Sequence, residues 1–161
     1  MTLMEVLGPF IRFLGERGLL GTGKITAESL DFDTRLRIQK YTYLAGKLGL
    51  KHGYSYSLYR YGPYSPSLAD DYYALAEDPA KLAAESGQQL AGELEQERFL
   101  RLVRDRDSSW LGVASTLVDQ IPRFRDDEGL VRYVERIKSN CSEDYIRGVL
   151  SDLKAHGMIA S

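Results

Sequence analysis

Apolar and polar side chains alternate with a period of two in one stretch of this chain alone, where Tyr54, Tyr56 and Leu58 are interleaved with Ser55 and Ser57. That alternation marks a half-buried strand. Elsewhere apolar residues return every three or four positions, the spacing of an amphipathic helix. The sequence therefore predicts a mainly α fold, a compact multi-helix domain over residues 1–161. A short β element is expected between the second and third helices.

The first helix is expected over about Thr2 to Arg17, with Leu3, Leu7, Phe10, Ile11 and Leu14 on one stripe. Gly18 and the Gly21-Thr22-Gly23 cluster end it. The second runs over about Asp33 to Leu48, capped by Asp33 or Thr34, with Leu36, Tyr41, Leu44 and Leu48 forming its apolar face. Gly49 and Gly53 bracket the turn before the extended piece from Tyr54 to Tyr61, which Gly62-Pro63 punctuates. Ser65 as N-cap and Pro66 in the first helical position start a third helix that reaches Glu77. Asp78-Pro79 stops it, and residues 80–88 form a connector or a short helix. Four more helices are expected over about Gln89 to Arg104, Ser109 to Gln120, Asp127 to Lys138 and Ser142 to His156, the last closed by Gly157.

A net charge of −2 and a sequence pI near 5.7 lack the basic excess of a dedicated nucleic-acid binder. The longest apolar runs fall far short of the ~20 residues that span a bilayer, so no membrane association is expected. Residues 1 to 13 hold acidic Glu5 and no basic leader, which does not fit a signal peptide. One cysteine, Cys141, allows neither an internal disulfide nor a cysteine-built zinc site. A cytosolic protein is expected.

Catalytic constellations are weak. Gly18-Leu19-Leu20-Gly21-Thr22-Gly23-Lys24 approaches a phosphate-binding P-loop, but Ile25 stands where a magnesium-holding Ser or Thr is needed. The segment before it is helical in period rather than a strand. His52 and His156 lie far apart, and His156 suits a helix C-terminus. Asp70-Asp71 and Asp126-Asp127-Glu128 are sequential neighbours, which point to different sides of a helix, so capping and dipole roles are expected of them. Glu93, Glu97 and Arg101 read as a solvated ion-pair ladder. No enzyme activity and no cofactor are expected.

Nine of the eleven tyrosines fall between Tyr41 and Tyr73. Tyrosine combines a large apolar area with a hydroxyl, which suits core edges and protein interfaces alike. Within that block, Arg37-Ile38-Gln39-Lys40-Tyr41-Thr42-Tyr43-Leu44 precedes Tyr59-Arg60-Tyr61-Gly62-Pro63-Tyr64-Ser65-Pro66-Ser67-Leu68. This pairing over residues 34–77 resembles the YwgA-like family and the wider group of SocA-like, or Panacea, antitoxin domains. The resemblance implies a helical domain that binds a protein, neutralising a toxin or delivering a substrate to a protease as an adaptor. Its signature positions are Gln39, Lys40, Tyr61, Gly62, Pro63, Tyr64 and Ser65. Surface candidates for the partner are Lys40, Tyr59, Arg60, Tyr61 and Tyr64. Gln39, Gly62, Pro63 and Ser65 suit a structural role, with Gly62 permitting an unusual backbone angle, Pro63 fixing the next and Ser65 capping a helix. Tyr61 and Tyr64 are then expected to turn back towards the second helix, where Gln39 or Lys40 bonds a hydroxyl.

DNA binding is the alternative. Residues 126–161 have the layout of a helix-turn-helix, as in a winged-helix protein, with Ile146, Val149, Leu150 and Leu153 buried and Arg147, Ser151 and Lys154 exposed. Arg132, Arg136 and Lys138 add positive charge nearby. Glu143, Asp144 and Asp152 oppose it, since phosphate would repel them, and the few residues after His156 are too short for a wing.

Overall fold

A computed structural model describes residues 3–21, 25–26, 28–90 and 93–160. Among these, eight α helices surround one two-stranded antiparallel sheet. The helices are α1 (Leu3–Glu16), α2 (Phe32–Lys47), α3 (Pro66–Glu77), α4 (Pro79–Ala83), α5 (Gln96–Val103), α6 (Ser108–Gln120), α7 (Asp127–Ile137) and α8 (Glu143–Ala155). The strands are β1 (Ser57–Tyr59) and β2 (Gly62–Tyr64), between α2 and α3. No described helix is long and apolar enough to cross a membrane.

Local chemistry places most helix starts. The side chains of Asp31, Ser65, Asp107, Asp126 and Ser142 each accept a hydrogen bond from the backbone N–H three residues on. Asp126, Asp127 and Glu128 thus do serve a helix start, the first as its cap and the others in its first turn. His156 ends α8, and Gly157 follows it in a left-handed conformation. The expected helix from Gln89 begins only at Gln96, after a 3-10 turn over Gly87–Leu90. Leu90 and Leu94 are both buried outside any α helix, and their spacing of four imitates a helical stripe. Glu93 therefore shares no helix with Glu97 and Arg101. Thr22, Gly23 and Lys24, the heart of the near P-loop, lie outside the described residues.

α2 and α6 form the centre. α2 is buried on every side from Ile38 to Ala45, and α6 from Trp110 to Val118. α1 closes one flank through Phe10 and Phe13, which meet Phe99 of α5, while Tyr41 of α2 meets Phe99 from the other side. α7 and α8 pack on each other and on α6.

The extended piece is a hairpin rather than one strand. Ser57 pairs with Tyr64, Leu58 with Pro63 and Tyr59 with Gly62, leaving Arg60-Tyr61 as a two-residue turn. Gly62 and Pro63 belong to β2 instead of ending the extended segment. Alternate residues of a strand turn their backbone groups to opposite edges. Pro63 and Ser65 face away from β1, so the N–H that Pro63 lacks is not missed in the ladder.

Candidate functional site

The outer edge of β2 is closed by side chains of α2. The Gln39 amide donates to the Ser65 carbonyl at 3.0 Å and accepts from the Ser65 N–H at 2.9 Å. Lys40 Nζ donates to the Pro63 carbonyl at 2.6 Å. Two helix side chains thereby do the work of a third strand. Ser65 also caps α3, so one residue ties α2, β2 and α3 together. On its other face β2 lies on α6. A Cβ at Gly62 would come within 2.7 Å of Thr116 Oγ1, and Gly62 holds φ at +111°, a region that side chains disfavour.

Lys40 was expected at the surface and is instead buried, with only 2% of its area exposed. Its ammonium is pushed down to about 7, chiefly by burial and then by Lys138, against the pull of Asp119. Neither Gln39 nor Lys40 is committed to Tyr61 or Tyr64. Gln39 serves the Ser65 backbone and also meets the Tyr72 hydroxyl, whose pKa burial raises.

The hairpin anchored in this way carries its turn outward. Tyr59, Arg60 and Tyr61 are exposed, with the Arg60 guanidinium 5.6 Å from the Tyr61 ring centre. Tyr64 sits beneath them, half-buried and 5.1 Å from the Tyr59 ring. Phe32, the first residue of α2, meets Tyr61 edge to face at 5.1 Å while 52% of its own area stays in solvent.

This Phe32–Tyr61 pair is a ridge between two cavities. One, of about 340 Å³, is lined by Arg35, Tyr64, Tyr72 and Tyr73 as well as the ridge, with Gln39 and Lys40 at its floor. The other, of about 420 Å³, lies between the ridge, the start of α6 and the end of α7, where Ser109, Ile137, Lys138 and Cys141 line it. Among the described residues seven large apolar or aromatic side chains are exposed; Phe32, Tyr61, Tyr73 and Ile137 line these cavities and Tyr59 adjoins them. Such clustering makes a patch, whereas scattered exposed residues would need no explanation.

Phe32, Tyr73 and Lys138 were not expected here. Phe32 precedes the predicted helix start by one residue, so an aromatic flanking a cap was the available signal. Lys138 carried none, since a lone lysine at a helix end reads as solvated charge.

The C-terminal pair holds its cations differently. Arg147 bonds Glu143 at 2.8 Å and Glu128 at 2.9 Å, Lys154 bonds Asp127, and Arg106 reaches Asp152 at 3.4 Å while stacking on Trp110 at 4.2 Å. Lys138, counted among its positive charges, is buried against α6. Of the two histidines, His52 is largely buried, its Nδ1 accepting from the Tyr54 N–H at 2.9 Å, and burial lowers its pKa. A Cβ on Gly46 would overlap its ring, at 2.4 Å from Nε2. Asp71, part of an expected dipole pair, instead accepts from the Tyr54 hydroxyl at 2.5 Å.

In comparisons with known proteins, no family model, no curated protein and no solved structure matches this chain.

Proposed function

We propose that this chain is a protein-binding module, of the antitoxin or proteolytic-adaptor kind, that receives its partner on the Phe32–Tyr61 ridge. The observation that carries this is the exposed aromatic cluster on a hairpin anchored by Gln39 and Lys40. Partly exposed Tyr and Phe beside concave surface is the composition of an interface centre, and Arg60 over Tyr61 adds a residue type enriched there. Fixing such groups before binding reduces the entropy lost on association. Tyr59, Arg60 and Tyr61 are the contacts, Tyr64 supports them, and Lys40 acts only through the hairpin it holds.

DNA binding by α7 and α8 has less support. Its half-buried cations Arg147 and Lys154 already face Glu128, Glu143 and Asp127, which leaves the exposed Arg132 and Arg136 of α7 without an ion pair among the described residues. Counterion release by phosphate contact needs cations that are not so engaged.

The test is Tyr61→Ala. Truncating an interface anchor costs about 2 kcal/mol, roughly 30-fold in affinity. A stoichiometric protein captured from the host by the tagged wild-type chain should be lost with Tyr61→Ala at unchanged melting temperature. Equal capture by both proteins would remove the ridge from the interface. Salt-eluted nucleic acid in place of protein would favour the helix pair.

A further inference from the structure

Lys138 is, with Lys40, one of two buried lysines among the described residues. It caps the C-terminal end of α7, where its backbone N–H bonds Val134, yet only 9% of the residue is exposed. Its ammonium rests against α6, 3.5 Å from where a Cβ on Gly112 would be. Among the described residues no carboxylate pairs with it and no acceptor bonds it, in contrast to Lys40, which has the Pro63 carbonyl. The Lys138 Nζ keeps contact with solvent, unlike Thr42 Oγ1 and Tyr56 Oη, which are buried without a partner, and burial lowers its pKa against the pull of Cys141. Lys138 lines the 420 Å³ cavity together with Gly112.

That cavity combines positive charge with apolar surface. Its lining includes a second cation, Arg60, and no Asp or Glu. Ser108 and Ser109 bring the first turn of α6 to the wall, where N–H groups lack helical acceptors and the helix dipole favours an anion. Asp107, next to them, is occupied in capping Trp110 at 2.8 Å and is not part of the lining. Asn140 adds an amide. Phe32, Leu36, Val113 and Ile137 complete the lining with apolar surface.

We propose that this cavity binds a monocarboxylate with a compact apolar body, its carboxylate on Lys138 Nζ and the first turn of α6. One nearly buried cation balances one negative charge. Half the wall is apolar, which a bare oxyanion would leave unsatisfied by contact and a phenyl-sized group would fill. The site stands whether or not a protein docks on the ridge, because its anion partner lies behind the Phe32–Tyr61 pair rather than on it. A free small acid and the terminal carboxylate of a peptide present the same chemistry.

The probes are benzoate, acetate, inorganic phosphate and N-acetyl-phenylalanine, added to the full chain and followed through the amide NMR signals of Ser108, Ser109 and Asn140. Benzoate should shift these signals saturably, at least tenfold more tightly than acetate. Lys138→Met should lose at least tenfold in benzoate affinity while melting no lower than wild type, since no hydrogen bond or ion pair of the Lys138 side chain is lost. Lys138→Gln serves the same purpose if the methionine variant does not fold. Arg60→Ala, at the mouth, should lose only a few-fold. Tighter binding of N-acetyl-phenylalanine than of benzoate assigns the carboxylate to a chain terminus, and the reverse assigns it to a free acid. Unchanged benzoate binding in the Lys138 variants, no saturable shift, or phosphate binding as tightly as benzoate would overturn the proposal.

Discussion

The hairpin region and the C-terminal helix pair handle polar side chains in opposite ways. Around the hairpin, Gln39, Lys40 and Ser65 are turned inward and answered by backbone groups. In α7 and α8, Asp127, Glu128, Glu143, Arg147 and Lys154 are turned outward and answered by one another. The first arrangement is expensive to break, because a buried donor or acceptor left alone loses both its partner and water. The second is cheap, since exposed ion pairs are screened and constrain flexible side chains for little return. Polarity therefore specifies structure in one region and only decorates it in the other.

Gln39→Ala tests the inward half most severely. It strands the N–H of Ser65, while the Ser65 carbonyl keeps the Ala69 N–H at 3.1 Å, and should cost about 2 kcal/mol in chemical denaturation, at roughly 1–3 kcal/mol per orphaned group. A cost no larger than that of an exposed substitution would break the comparison.

Lys40 gives a pH signature. Its folded pKa of about 7 lies below the 10.5 of an ordinary lysine, so the unfolded chain binds more protons between those values. Stability should then rise with pH from about 7 to about 10, by at most about 1.4 kcal/mol per unit from this one group. Lys138 is shifted in the same direction and adds to the slope. Lys40→Met should flatten the rise without abolishing it, as urea titrations across that range would show. An unaltered slope would mean that Lys40 is not the group responsible.

The smallest effect belongs to the outward half. Arg147→Ala removes both of its ion pairs and should leave the melting temperature within error, with no dependence on salt. A clear drop would show that the α7–α8 surface network is structural after all.

Much of the fold could be read from short-range signals. Ser65-Pro66 and Asp78-Pro79 delimit α3 at Pro66–Glu77, as the sequence predicts, because caps and proline act within a turn of where they stand. What escaped depended on partners distant in the chain. Gly62-Pro63 reads locally as a breaker, and it becomes a strand only because α6 leaves room for Gly62 and α2 supplies an acceptor-seeking lysine to Pro63. The burial of Lys40 and Lys138 likewise follows from tertiary packing, which no local pattern encodes. The family resemblance points to Tyr59, Arg60 and Tyr61 as surface candidates, but the turn that exposes them is not legible, since Tyr54 to Tyr61 reads as one extended piece. Phe32 and the two cavities beside it arise from the meeting of α2, α6 and α7 with the hairpin.

The closed edge of β2 has a consequence in time as well as in space. Two strands of three residues cannot hold each other in water. They depend on Gln39 and Lys40, whose bonds reach 26 and 23 residues along the chain, and a loop of that span must close before either bond forms. The helices can begin within a few residues of their own caps. The aromatic ridge accordingly takes its shape only where α2 is in place to hold the hairpin, so its presentation to a partner reports on the integrity of the central helix.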